Sequence, residues 1–150
     1  MQPAEVRDLL KQFVGYVTKP GEKSDEHMLE LCDRLVFAYR NTSYTFDNRD
    51  FPDAPRTDYG EQRAKISALF PNYGPYCLPT TMNAECSTDQ MIGDAIDDLS
   101  DISRDFEEVL WRFEHTSVDD ALWDFHEGYW RHWGRHMREF QFYLFHKISS

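Results

Sequence analysis

The run Asp89–Lys147, DQMIGDAIDDLSDISRDFEEVLWRFEHTSVDDALWDFHEGYWRHWGRHMREFQFYLFHK, decides the fold. Its apolar residues recur with helical spacing on both sides of a break at His115–Ser117. Before the break, Ile92, Ala95, Ile96, Leu99, Ile102, Phe106, Val109, Leu110 and Phe113 share one sector of a 3.6-residue wheel, with Thr88 as the expected cap. After it, Ser117 is placed to cap a second helix, with Asp119 and Asp120 in its first turn. That helix carries Leu122, Phe125, Tyr129, Trp133, Phe140, Tyr143 and Leu144 on one side. Trp123, Trp130, Gly134 and Phe145 widen the apolar sector, leaving Asp124, Arg131, Arg135 and Arg138 as its polar face. A helix apolar over most of its circumference is wrapped by others, so this one is expected to be the central pillar of a bundle.

Working outward, residues 3–18 place Val6, Leu9, Leu10, Phe13, Val14 and Val17 on one face, with Pro3 suited to the first turn and Pro20–Gly21 ending the segment. Residues 24–40 repeat the pattern with Met28, Leu31, Cys32, Leu35, Val36 and Tyr39 behind the cap Ser24. Residues 41–57 break it with Pro52, Pro55 and many Asn and Asp, which predicts a long loop. Its Asp47, Asp50 and Asp53 lack the glycine and distal glutamate of a calcium loop. Asp58 opens a short helix over 58–70. Residues 71–88 read as an irregular flap packed on the long pair through Tyr73, Tyr76 and Leu78. The predicted fold is all-α, a bundle of about five helices organised around a long C-terminal antiparallel helix pair, in one domain spanning 1–150.

Composition narrows the function. The chain has 150 residues, 15% of them aromatic, and a formal net charge of -11. Phosphate and anionic lipid need clustered Lys and Arg, so neither nucleic acid nor a membrane is expected as partner. No apolar run reaches eighteen residues and the N-terminus lacks a signal-peptide pattern, so a cytoplasmic location is expected. Of the three cysteines, Cys32 reads as core. Cys77 and Cys86 flank a loop and would pair only in an oxidising compartment. There is no C-x-x-C, P-loop, G-x-G-x-x-G or G-x-S-x-G.

One constellation carries chemistry. Asp94, Asp98, Asp101 and Asp105 fall within about 60° of each other on the first long helix. His132 and His136 stand i, i+4 on the second. Antiparallel pairing sets these histidines roughly level with Ser100 and Ile96, which brings Asp97, Asp98 and Asp101 close in height. Imidazoles and carboxylates on facing helices can hold a divalent metal, and a metal-dependent hydrolase would further need an open coordination position. The di-iron pattern of Glu-x-x-His is missing. The bland alternative is a hydrogen-bonded network of Asp and His across the helix seam. A separate small-ligand pocket under the flap would use Tyr73, Tyr76 and Asp94.

The blocks GDAIDDLSDI at Gly93–Ile102 and ALWDFHEGYWRHWGRH at Ala121–His136, with FPDAPRTDYGEQRAKISALFP at Phe51–Pro71, resemble the bacterial family known as domain of unknown function 5063. The resemblance implies a small, mostly helical protein with no established activity, and it carries over no catalytic residues. From the residues, the expectation is a non-enzymatic module acting by association with a protein partner or with itself. The alternative is a divalent-metal-binding protein or hydrolase using Asp98, Asp101, His132 and His136.

Overall fold

A computed structural model describes residues 1–79 and 90–150. Helices α1 (Pro3–Thr18) and α2 (Asp25–Arg40) form where the two N-terminal patterns lie. Pro3 occupies the first turn of α1, and the Gln2 amide is closed by Glu5 at 2.8 Å. Ser24 caps α2 by accepting from the His27 amide, 3.1 Å. Helix α3 (Tyr59–Leu69) follows the Asp58 cap.

The described part of the flap, residues 71–79, differs from its reading as irregular chain. Pro75–Pro79 (β1) and Gln90–Asp94 (β2) pair antiparallel, with Tyr76 opposite Gly93. Helix α4 therefore starts at Ala95, capped by Asp94, which accepts from the Ile96 amide at 2.9 Å. Thr88, the expected cap, lies outside the described residues. Ile92 sits in β2 with 75% of its surface exposed and is not part of the helical sector.

Helix α4 runs to His115, and Ser117 caps the next helix by accepting from the Asp120 amide. The C-terminal helix comprises α5 (Val118–Gly128), one π-helical turn at Tyr129–Trp133, and α6 (Gly134–Ser149). It returns antiparallel along α4, as predicted, but the central position belongs to α4. That helix packs against α1, α3, α5 and α6, whereas α6 packs against α2 and α4. Trp130, Phe142 and Phe145 of the C-terminal helix are 76%, 47% and 60% exposed, so its wide apolar sector is only partly covered. The core joins Phe13, Leu31, Leu35, Ile66, Leu99, Phe106, Phe125, Trp133 and Phe140, all buried, with Cys32 among them. Burial pushes the Cys32 thiol far above its ordinary pKa. No helix among the described residues is long and apolar enough to cross a membrane.

Residues 41–58 cross the α4–α5 turn as a fastened strap. The Thr45 amide donates to Asp119, Ser117 donates to Asp47, and His126 bridges the carbonyls of Leu122 and Thr42, both at 2.7 Å. Asp47 also holds Arg49, and that hydrogen bond, with the one from Ser117, keeps its carboxyl well below the usual range.

Candidate functional site: an aspartate–histidine seam

The seam begins with the π turn. A π turn bonds i to i−5 and accommodates one extra residue, and such turns recur at functional sites. Here the Gly134 amide bonds the Tyr129 carbonyl. A Cβ on residue 134 would lie 2.2 Å from that carbonyl oxygen, so glycine is required by contact. At the other end, the Trp133 indole lies over Gly128, where a Cβ would meet it at 2.9 Å. The sequence signal for the turn was therefore GYWRHWG, an aromatic run between two glycines. His132 falls inside the turn and His136 just after it.

Both rings face α4. His136 Nδ1 bonds Asp98 Oδ1 at 2.8 Å, and His132 Nδ1 bonds Asp105 Oδ2 at 2.7 Å. Asp101 lies between them: its Oδ2 is 3.3 Å from His136 Nε2 and 3.9 Å from His132 Nε2. The predicted facing of Asp98 and Asp101 with His132 and His136 is thus present, displaced along α4 by about a turn from the expected register. Asp105 belongs to the same predicted stripe and was not among the candidate ligands.

Partners reach the seam from three other elements. From β1, Tyr76 donates to Asp98; from α3, Tyr59 donates to Asp97, and Arg63 bonds Asp94 at 2.6 Å. Arg104 approaches Asp101 Oδ1 at 3.4 Å and donates to the Thr57 carbonyl at 2.9 Å. Arg56, from the strap, spans Asp105 and Glu108 at 3.0 Å each. Tyr59 and Arg63 stand i, i+4 on α3, the spacing that could have flagged them.

Electrostatics follow from burial and pairing. Asp98 is 2% exposed. Burial pushes its carboxyl upward, against the hydrogen bonds from His136 and Tyr76 that favour its charge. Burial also disfavours the His136 cation, but the hydrogen bond to Asp98 and the charges of Asp98, Asp101 and Asp97 outweigh it, and its pKa is raised. Burial and the bond to Asp98 drive the Tyr76 phenol upward, so it acts as a donor. About two turns before His132, burial pushes Asp124 up to about 6 despite Arg112 and Arg131 beside it.

The seam opens into a cleft of about 780 Å³, floored by Asp94, Asp97, Asp98, His132 and His136 and rimmed by Trp130, Ile92 and Met91. Among the described residues, the predicted trio Tyr73, Tyr76 and Asp94 does not line one common pocket. Tyr73 donates to Asp25 and lines one depression, Tyr76 lines another, and Asp94 lines the cleft. Among the described residues, two groups have ligand atoms within 4.8 Å of one another, Asp101–His132–His136 and Asp97–Asp98–His136. Cys77 is exposed on β1, and the pairing considered for it with Cys86 lies outside the described residues.

Fold and cleft together define a small helical-bundle protein with a two-stranded ribbon and an Asp/His seam. The chain belongs to the family described as Domain of unknown function (DUF5063), whose model matches residues 5–141. No curated protein matches the chain. Among solved structures it is similar to the crystal structure of protein BF1032 from Bacteroides fragilis. That match has 14% identity and a TM-score of 0.73, and covers 98% of this chain and 91% of the other. At that identity the likeness extends to the fold alone.

Proposed function

We propose that this protein acts by association, and that the face carrying Trp130, Ile92 and Met91 receives a protein partner. One observation carries the reading. Trp130 and Ile92, 76% and 75% exposed, stand together on the rim of the same cleft. Exposed aromatic anchors beside arginines are the residue types that dominate association energies, and contiguous exposed apolar surface marks interaction sites. Arg131 and Arg135 flank this rim. Met91 extends the face into a shallow groove of about 470 Å³ with Leu78, Pro79 and Phe142.

The floor of the cleft is acidic and the chain's net charge is -11, so the fitting segment is apolar with a basic group. A second copy of the chain would have to overcome that charge, and its association should strengthen as salt screens the repulsion. Sedimentation velocity across a salt series tests self-association. A photocrosslinking residue at position 130, compared with one at the exposed Lys11 on α1, tests a partner in cells. Discrete adducts from 130 and none from 11 are expected. A strict monomer at every salt concentration, with no adduct specific to 130, would remove the reading.

A further inference from the structure

We propose that Asp101, His132 and His136 form a binding site for one first-row divalent transition-metal ion of the zinc class. The site is independent of the association face, although it opens into the same cleft.

The case rests on which ring nitrogens are committed. A carboxylate only accepts, so the nitrogen facing it carries the hydrogen. In His136 that nitrogen is Nδ1, 2.8 Å from Asp98, and in His132 it is Nδ1, 2.7 Å from Asp105. When both rings are neutral, each is left with a bare lone pair on Nε2. Both Nε2 atoms approach the same oxygen, Asp101 Oδ2, at 3.3 Å and 3.9 Å. Three acceptors converging without a donor repel one another. A proton on one ring relieves one of the two contacts, whereas a cation between them relieves both.

The dimensions suit a metal. Ligand atoms about 2.0–2.2 Å from a tetrahedral ion lie roughly 3.3–3.6 Å from one another. Closing the His132 contact to that value needs only a small movement of a side chain that is 40% exposed. Two imidazoles and one carboxylate suit zinc or ferrous iron and leave a further position open.

The surroundings have the form that metal-binding histidines need. A ligating imidazole characteristically gives its other N–H to a carboxylate, which fixes tautomer and orientation, and Asp98 and Asp105 occupy that position. Each is held in turn, Asp98 by Tyr76 and Asp105 by Arg56. Arg104 engages Asp101 through Oδ1, leaving Oδ2 to the histidines. A proton on His136 accounts for the approach of its own Nε2 to Asp101 at 3.3 Å, but not for that of His132 Nε2 to the same oxygen.

The test uses the full chain stripped of metal by a chelator. Zinc is titrated against a chromophoric competitor, and cobalt is followed by its visible absorption. One ion per chain is expected, with cobalt bands of a low-coordinate nitrogen–oxygen site. His132→Ala and His136→Ala should each abolish stoichiometric binding, and Asp105→Asn should weaken it by about 10–100-fold through the outer contact. Should His136→Ala lose its helical circular dichroism, the more exposed His132 carries the test. Absence of stoichiometric zinc and cobalt binding to the wild type overturns the proposal. So does equal affinity in folded His132→Ala.

Discussion

The indole N–H of Trp133 donates to the main-chain carbonyl of Phe125, 2.8 Å away and eight residues earlier in the same helix. This bond ties the far end of the π turn back to α5. Trp133→Phe keeps an aromatic ring against Phe106 and Phe125 but removes that donor. A hydrogen bond of this kind contributes about 0.5–1.5 kcal/mol net, and urea unfolding should register a loss of this size.

Gly134→Ala should destabilise the protein, although alanine in a helix interior ordinarily stabilises relative to glycine by about 1 kcal/mol. The added Cβ would sit 2.2 Å from the Tyr129 carbonyl oxygen, so the π turn must shift. Overpacking of this kind costs about 1–3 kcal/mol. A rise in the thermal midpoint would show that the turn tolerates a side chain.

Gly93 and Tyr76 form the corresponding contact in the ribbon. A Cβ at 93 would meet the Tyr76 ring at 2.6 Å, pushing its hydroxyl off Asp98. Gly93→Val and Tyr76→Phe should therefore share a consequence, the loss of one donor to a buried carboxylate, worth about 1–3 kcal/mol. The double variant should cost less than the sum of the two singles. Additive losses in a double-mutant cycle would disconnect Gly93 from Asp98.

Asp124 should make stability depend on pH. Its folded pKa of about 6 lies above the ordinary 3.8, chiefly through burial. The folded state therefore holds the proton more tightly than the unfolded chain. This contribution is greatest below the ordinary value and is lost as pH rises through about 6, with a full change of about 3 kcal/mol. Asp124→Asn is neutral throughout. The stability of wild type minus that of the variant should fall across this window, and a flat difference would contradict the assignment.

Trp130→Ala should leave folding stability within about 0.5 kcal/mol of wild type, as exposed positions generally do. Trp123 is held between Phe46, at 5.8 Å, and the Arg131 guanidinium, also at 5.8 Å. Trp123→Ala should cost measurably more in the same urea titration.

The helical architecture was legible because α1, α2, α4 and the C-terminal helix repeat their apolar residues at one period, and because Ser24, Asp58 and Ser117 mark three helix starts. The seam was legible for the same reason, since both rows keep i, i+3 or i+4 spacing. The ribbon was not. Met91 and Ile92 sit in phase with the apolar sector of α4, and only burial distinguishes a solvent-facing strand residue from a helical one. The π turn escaped notice because a wheel drawn at 100° per residue assumes the turn it would need to test. The exchange of centre from the aromatic helix to α4 had a similar cause: composition reports how apolar a helix is, not how many neighbours cover it.

The position of α4 in the chain governs what a ribosome exposes. Helices α1 and α3 bury their apolar faces against a helix that begins only at Ala95. During synthesis Phe13 and Ile66, both fully enclosed in the finished protein, emerge well before the surface that shelters them. A nascent chain stalled ahead of Ala95 would present sticky, uncovered helices, the kind of species that holding chaperones bind.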